Sequence, residues 1–241
     1  DNSGNGVVDI VSPVNHGDIL CVTPSLSRLE HADCCESGLP KNDPVDSGFM
    51  SQSIKILAFA GSARRESVNR RLLGAAAKLT DAEVTVVDLA SYPMPLYDGD
   101  LEEADGIPDS VKKFKALMNE HQGILLACPE YNGSITPLLK NVIDWCSRPA
   151  TEEEPPLAAF RGKVAGLLGA SPGGLGGLRG LRHVREILGS IGVTVVPNQH
   201  ALGGAYDAFD DSGALKDSPA AKAVQRVVDQ LVKTTQALAA E

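Results

Sequence analysis

Ile54–Asn69 reads IKILAFAGSARRESVN, and this stretch decides the fold. Seven residues from Ile54 to Ala60 are almost wholly apolar, a run suited to a strand buried on both faces. Gly61-Ser62 ends the run. From Ser67 to Thr80 the apolar residues Val68, Leu72, Leu73, Ala76 and Leu79 fall on one helical face. A strand, a short polar loop and a helix in this order form the first unit of a parallel α/β sheet.

The same alternation continues outward. Val84–Leu89, Gly123–Cys128, Lys163–Leu168 and Val193–Val196 read as strands. Pro108–Asn119, Ser134–Cys146, Leu175–Gly189 and Ser218–Ala240 read as helices, and Pro93, Pro95 and Asp98-Gly99 mark a loop. Continuous apolar strands alternating with helices predict a flavodoxin-like, doubly wound, five-stranded parallel sheet, order 2-1-3-4-5, covered on both faces. An eight-unit barrel needs more chain than this.

The chain has 241 residues and a formal net charge of −9. Residues 1–53 contain two basic and eight acidic side chains and so carry six of those nine charges. They lack any sustained period and read as a disordered extension, with a short strand at Ile19–Thr23, ahead of a domain over 54–241. The acidic balance and the 4% aromatic content disfavour nucleic-acid binding. No run approaches the roughly 18 apolar residues of a membrane span. Five cysteines do not suggest a disulfide framework, and a reducing compartment is the default. The chain starts at Asp1 and shows neither a signal-peptide nor a transit-peptide pattern. A cytoplasmic location is expected, with an organelle left open. His31, Cys34 and Cys35 lack a second ligand pair at finger spacing, so no metal is expected.

In an open α/β sheet the ligand sits beyond the carboxyl ends of the strands, where strand order reverses. Two loops, after Ala60 and after Cys128, meet that condition, and a third follows strand 4 beside them. The first, Gly61–Asn69, offers a helix N-terminus with Ser62, Arg64, Ser67 and Asn69, a pocket for a phosphate or simply a capped helix. No Walker lysine is present. The second, Pro129-Glu130-Tyr131-Asn132-Gly133-Ser134, offers an aromatic face and backbone groups for the edge of a flat heterocycle, or only a turn. The third, Ser171–Gly177, has four glycines that allow close approach by a ligand or a neighbouring subunit.

Gly169-Ala170-Ser171-Pro172-Gly173 also matches the nucleophile elbow of hydrolases. Pro172 has no N–H to offer an oxyanion, and no Asp lies between Ser171 and His200. His121 reads as a polar helix end, His183 as a surface or interface residue, and Cys128 as a small buried strand end. Trp145 reads as a packing residue of the core or of a subunit contact.

Three motifs resemble the NADPH-dependent FMN reductase family, which includes quinone, chromate and azo-dye reductases. They are Gly61-Ser62-x-Arg64-x-x-Ser67-x-Asn69, the second loop with Lys140-Asn141-x-x-Asp144-Trp145, and Ser171-x-Gly173-Gly174 with Gly176-Gly177-x-Arg179. The resemblance spans residues 54 to about 238. It implies bound FMN, NADPH or NADH as reductant, and a homodimer or homotetramer. By the same resemblance Ser62, Arg64, Ser67 and Asn69 would hold the FMN phosphate. Pro129, Glu130, Tyr131, Asn132 and Gly133 would line the isoalloxazine, and Ser171, Gly173 and Gly174 would close the site. Arg179 could serve the ring, the nicotinamide cofactor or an interface. The implied reaction passes a hydride from NAD(P)H through the flavin to a small acceptor such as a quinone, free flavin, azo compound or chromate. No catalytic side chain is required, because the flavin carries the chemistry. A flavodoxin-type electron carrier without NAD(P)H turnover is the main alternative. A redox-sensing or interaction protein is another.

Overall fold

A computed structural model describes residues 53–239. The expectations for residues 1–52, with the Ile19–Thr23 strand and the His31, Cys34 and Cys35 cluster, lie outside them. Five strands, β1 (Lys55–Ala60), β2 (Glu83–Val87), β3 (Gly123–Ala127), β4 (Val164–Ala170) and β5 (Thr194–Leu202), form one parallel sheet in the order β2-β1-β3-β4-β5. This is the flavodoxin-like order expected from the sequence. Strand order reverses between β1 and β3, where Ala60 stands opposite Ala127.

Six helices cover the sheet: α1 (Val68–Ala77), α2 (Gly99–Asp105), α3 (Asp109–Asn119), α4 (Pro137–Cys146), α5 (Leu178–Ser190) and α6 (Ser218–Ala239). Alternation along β1 explains the two layers. Leu57 and Phe59 face a core built with α3, α4 and α5, through Phe114, Val142 and Leu181 among others. Ile56, Ala58 and Ala60 face the other core, built with α1 and α6 through Leu72, Leu73, Val224 and Leu231. A strand apolar on both faces is the signature of a covered parallel sheet. The edge strands β2 and β5 are only partly buried.

The helix starts follow capping chemistry. Ser67 caps α1 by accepting from the Arg70 N–H, and Thr136 caps α4 by accepting from the Leu139 N–H, with Pro137 following. The sequence pattern began α4 at Ser134, but the structure starts it at Pro137. The intervening residues belong to the second loop. The Asp98-Gly99 loop also differs: Asp98 caps the short helix α2, so the turn signal marks a helix start there.

The strand expected at Val193–Val196 runs on to Leu202, and its pairing with β4 shifts register between Ala165 and Leu167. Arg185 of α5 donates to the carbonyls of Val195 and Val196 and to Gln199 Oε1 at this irregularity.

Candidate functional site at the carboxyl ends of β1, β3 and β4

The three glycine-bearing loops converge beyond the carboxyl ends of β1, β3 and β4. A cleft there is lined by Ser62, Arg64, Glu66, Ser67, Val68 and Asn69 from the first loop and the start of α1. Pro129, Glu130 and Tyr131 line it from the second loop, and Ala170, Ser171 and Pro172 from the third. Tyr206, from the segment after β5, completes the wall. Sequence reasoning missed Tyr206, because it belongs to none of the motifs and reaches the cleft only through the parallel pairing of β5 with β4.

The first loop presents the N-terminus of α1 to the cleft. Its Ser67 hydroxyl already caps the Arg70 N–H, and the Ser62 hydroxyl accepts from the Arg64 N–H at 3.3 Å. Arg64 is exposed and lies on the cleft wall. A helix dipole, two hydroxyls and a guanidinium are suited to a phosphate. Asn69 lines the cleft and its side chain also makes a second set of contacts. Its amide donates to the Ala170 carbonyl at 2.8 Å and accepts from the Ala170 N–H at 2.9 Å. The side chain therefore clasps α1 to the end of β4 at the cleft wall.

The second loop folds into a tight turn. Tyr131 and Ser134 exchange both backbone hydrogen bonds at 3.0 Å. Asn132 and Gly133 both have positive φ, 52° and 81°. Asn and Gly are the residues that tolerate this conformation, so the Asn-Gly pair dictates the turn. Tyr131 is 53% exposed at the cleft. Ser134 Oγ lies 2.8 Å from His183 Nδ1, so His183 ties the turn to α5. It is a surface residue with a defined partner.

Glu130 is expected at the flavin ring, yet its carboxylate is turned to α5. It accepts from the backbone N–H groups of Arg179 and Gly180 at 2.9 and 3.1 Å and pairs with the Arg179 guanidinium. Burial pushes the Glu130 carboxyl up. The Gly180 N–H and the Arg179 side chain outweigh that and hold it below the usual glutamate range. Glu130 thus caps α5 and holds Arg179 beside the turn.

The third loop approaches protein. A Cβ at Gly176 would lie 2.5 Å from the Ala201 backbone, and φ there is +61°. The glycine lets the loop lie against the end of β5. Ser171 and Pro172 line the cleft, whereas Asn132, Gly133, Gly173 and Gly174 stand outside its wall. The Ser171 hydroxyl donates to the Gly173 carbonyl at 3.1 Å, an arrangement unlike a poised nucleophile.

The other singled-out groups are structural. His121 is 2% exposed, with its ring nitrogens 2.7 Å from the Leu117 carbonyl and 2.8 Å from Thr85 Oγ1. It stands just past the end of α3, as expected of a polar helix end, and is buried there as a strut to β2. Cys128 is fully buried and its thiol is pushed up by desolvation, which removes thiolate chemistry. Trp145 is buried, with its indole N–H donated to the Pro95 carbonyl at 2.7 Å. Among the described residues no helix is long and apolar enough to cross a membrane, and no group of three or more His, Cys, Asp or Glu could hold a metal ion.

Residues 54–207 match the family model described as NADPH-dependent FMN reductase. An NAD(P)H-dependent FMN reductase of Pseudomonas aeruginosa is 36% identical over 183 residues, covering 76% of this chain and 95% of the relative. A quinone reductase of Pseudomonas putida is 34% identical, covering 70% of this chain and 88% of the relative. The solved structure of FerB, a flavoenzyme NAD(P)H:(acceptor) oxidoreductase from Paracoccus denitrificans, superposes with a TM-score of 0.67 at 26% identity, covering 76% of this chain and 98% of that one. The chain belongs to the NADPH-dependent FMN reductase family.

Proposed function

We propose that this member of the NADPH-dependent FMN reductase family uses the cleft to hold FMN and passes a hydride from NAD(P)H to a small electron acceptor, such as a quinone, free flavin, azo compound or chromate. The observation that carries the reading is the convergence of an anion-suited helix N-terminus and the Pro129–Tyr131 segment, which leads into the Asn-Gly turn, on one cleft at the switch point. When bound, the flavin supplies the redox chemistry, accepting a hydride from the nicotinamide and delivering it onward.

The chain's own residues bind and orient. Ser62, Ser67 and Arg64, with the free N–H groups of α1, hold the phosphate. Tyr131 and Pro129 wall the ring site, and the turn at Asn132 and Gly133 offers backbone groups to the ring's polar edge. Backbone N–H groups there would be placed to offset negative charge at that edge of a bound ring. Ser171 and Pro172 close the opposite wall. Asn69 and Glu130 act one step back, through α1 and α5. The reductase domain occupies residues 54–241, with residues 1–53 outside the chemistry. The relatives are named as reductases, which favours turnover over the carrier alternative.

Anaerobic NADPH added to the flavin-loaded protein tests the reading. Bleaching of the flavin absorbance, followed by steady NADPH consumption when a quinone is supplied, is the expected result. A flavin spectrum unchanged by NADPH would overturn it.

A further inference from the structure

A second cavity opens on the other side of the first loop, at the carboxyl ends of β1 and β2. It has a volume of about 280 Å³ and is lined by Ala60, Ser62, Arg70, Leu73, Val86, Val87, Asp88 and Leu89. Ser62 lines both this cavity and the flavin cleft. The two spaces therefore flank a single phosphate-suited helix N-terminus.

The chemistry of this cavity differs from that of the cleft. Leu73 and Val86 give it apolar walls, and Val86 is 55% exposed although it sits on a strand. Uncovered apolar surface of this kind suits a flat base. Asp88 follows directly on β2. Its Oδ1 caps the turn Leu89–Ser91 by accepting from the Ala90 N–H at 3.0 Å, and its Oδ2 meets Arg70 Nη2 at 2.7 Å. Both side chains remain about one-third exposed, 35% for Arg70 and 34% for Asp88. A carboxylate at the end of the second strand, beside a phosphate-binding first loop, is placed to accept from the vicinal hydroxyls of a ribose. Arg70 adds a fork-shaped donor for a phosphate on the same nucleotide.

We propose that this cavity is an adenosine subsite, so that the protein accepts FAD as well as FMN, with the flavin half in the cleft and the AMP half beside β2. The proposal rests on the placement of the flavin phosphate at the first loop. The pyrophosphate then lies at the N-terminus of α1, next to Ser62, and the base covers Val86. Asp88 accepts from the ribose diol.

The full-length protein, equilibrated with equal FMN and FAD and then desalted, gives the test through chromatographic identification of the retained flavin. FAD is expected to make up at least half of it. Val86→Glu puts a charge on the exposed apolar wall. Asp88→Asn keeps the cap on Ala90 but removes the charge facing the ribose. Each is expected to lower the retained FAD-to-FMN ratio about tenfold, the loss of one charge-assisted hydrogen bond or one apolar contact face, with total flavin unchanged. Retention of FMN alone by the wild type, or an unchanged ratio in both variants, would overturn the subsite. Retention of no flavin at all would instead overturn the reading of the first loop.

Discussion

Asn69 and Ala170 form a reciprocal pair: the side-chain amide of one gives and takes a hydrogen bond with the backbone of the other, across 101 residues of chain. The pair joins the first turn of α1 to the last residue of β4, the two elements between which the flavin phosphate would lie. Asn69→Ala leaves a buried N–H and carbonyl without partners, which costs about 2–3 kcal/mol. Urea unfolding should show a lower midpoint with an unchanged slope. FMN affinity should fall less than in the arginine variant below, because Asn69 shapes the cleft through the backbone.

Arg64→Ala removes a charged donor from the wall of the phosphate site. A charge-assisted hydrogen bond is worth about 1.5–3 kcal/mol, so FMN binding should weaken about ten- to a hundredfold. Riboflavin, which lacks the phosphate, should bind the two proteins alike. Fluorescence titration with both flavins reads the difference, and an equal loss for both would remove the arginine from the phosphate site.

Glu130 couples the second loop to α5 through a charge. Its carboxyl titrates below the usual glutamate range in the folded chain, so the unfolded chain binds the proton first as pH falls. The stabilisation is therefore present above pH about 4.3, the ordinary glutamate value, and lost as pH drops through the folded value. Glu130→Gln should destabilise by about 1–2 kcal/mol at neutral pH and lessen the loss of stability as pH falls below about 4.3. Thermal melts from neutral pH to below that value measure both effects.

Lys163 gives the same direction of pH dependence in an alkaline window, but from a burial cost rather than a stabilising contact. Its ammonium is buried, donates to the His121 carbonyl at 2.6 Å, and titrates at about 8 because burial disfavours the charge. Below pH 8 the lysine is charged in both states, and the cost of burying it is felt in full. Between pH 8 and about 10.4 the folded lysine is neutral while the unfolded one still holds its proton, so stability rises with pH. Lys163→Met should flatten that rise. Melting curves of the two proteins that stay parallel from pH 7 to 10 would contradict it.

Much of this architecture is legible in the sequence because β1, β3 and β4 are apolar on both faces, and β1 and β3 lead into helices with Ser67 and Thr136 as caps. The Asn132-Gly133 turn is legible for a related reason: few other residue pairs tolerate two successive positive φ values. The direction of a side chain is harder to read. Glu130 and Asn69 carry the chemistry of binding residues in the one-dimensional pattern. Only the fold reveals that α5 and β4 claim their polar atoms first. Tyr206 was invisible because its link to the cleft depends on the long strand β5, whose sequence, TVVPNQHAL, breaks the apolar run after Val196.

That break matters for how these molecules behave when crowded. Along Val195–Asn198 the outer rim of the sheet offers little to a stranger's backbone. Arg185 occupies the carbonyls of Val195 and Val196, Pro197 has no N–H to give, and the Asn198 N–H is spent on Gln230. A neighbouring chain seeking to add itself as a sixth strand finds these positions already filled. The irregular stretch of β5 thus also guards the protein against fibrous self-association along Val195–Asn198.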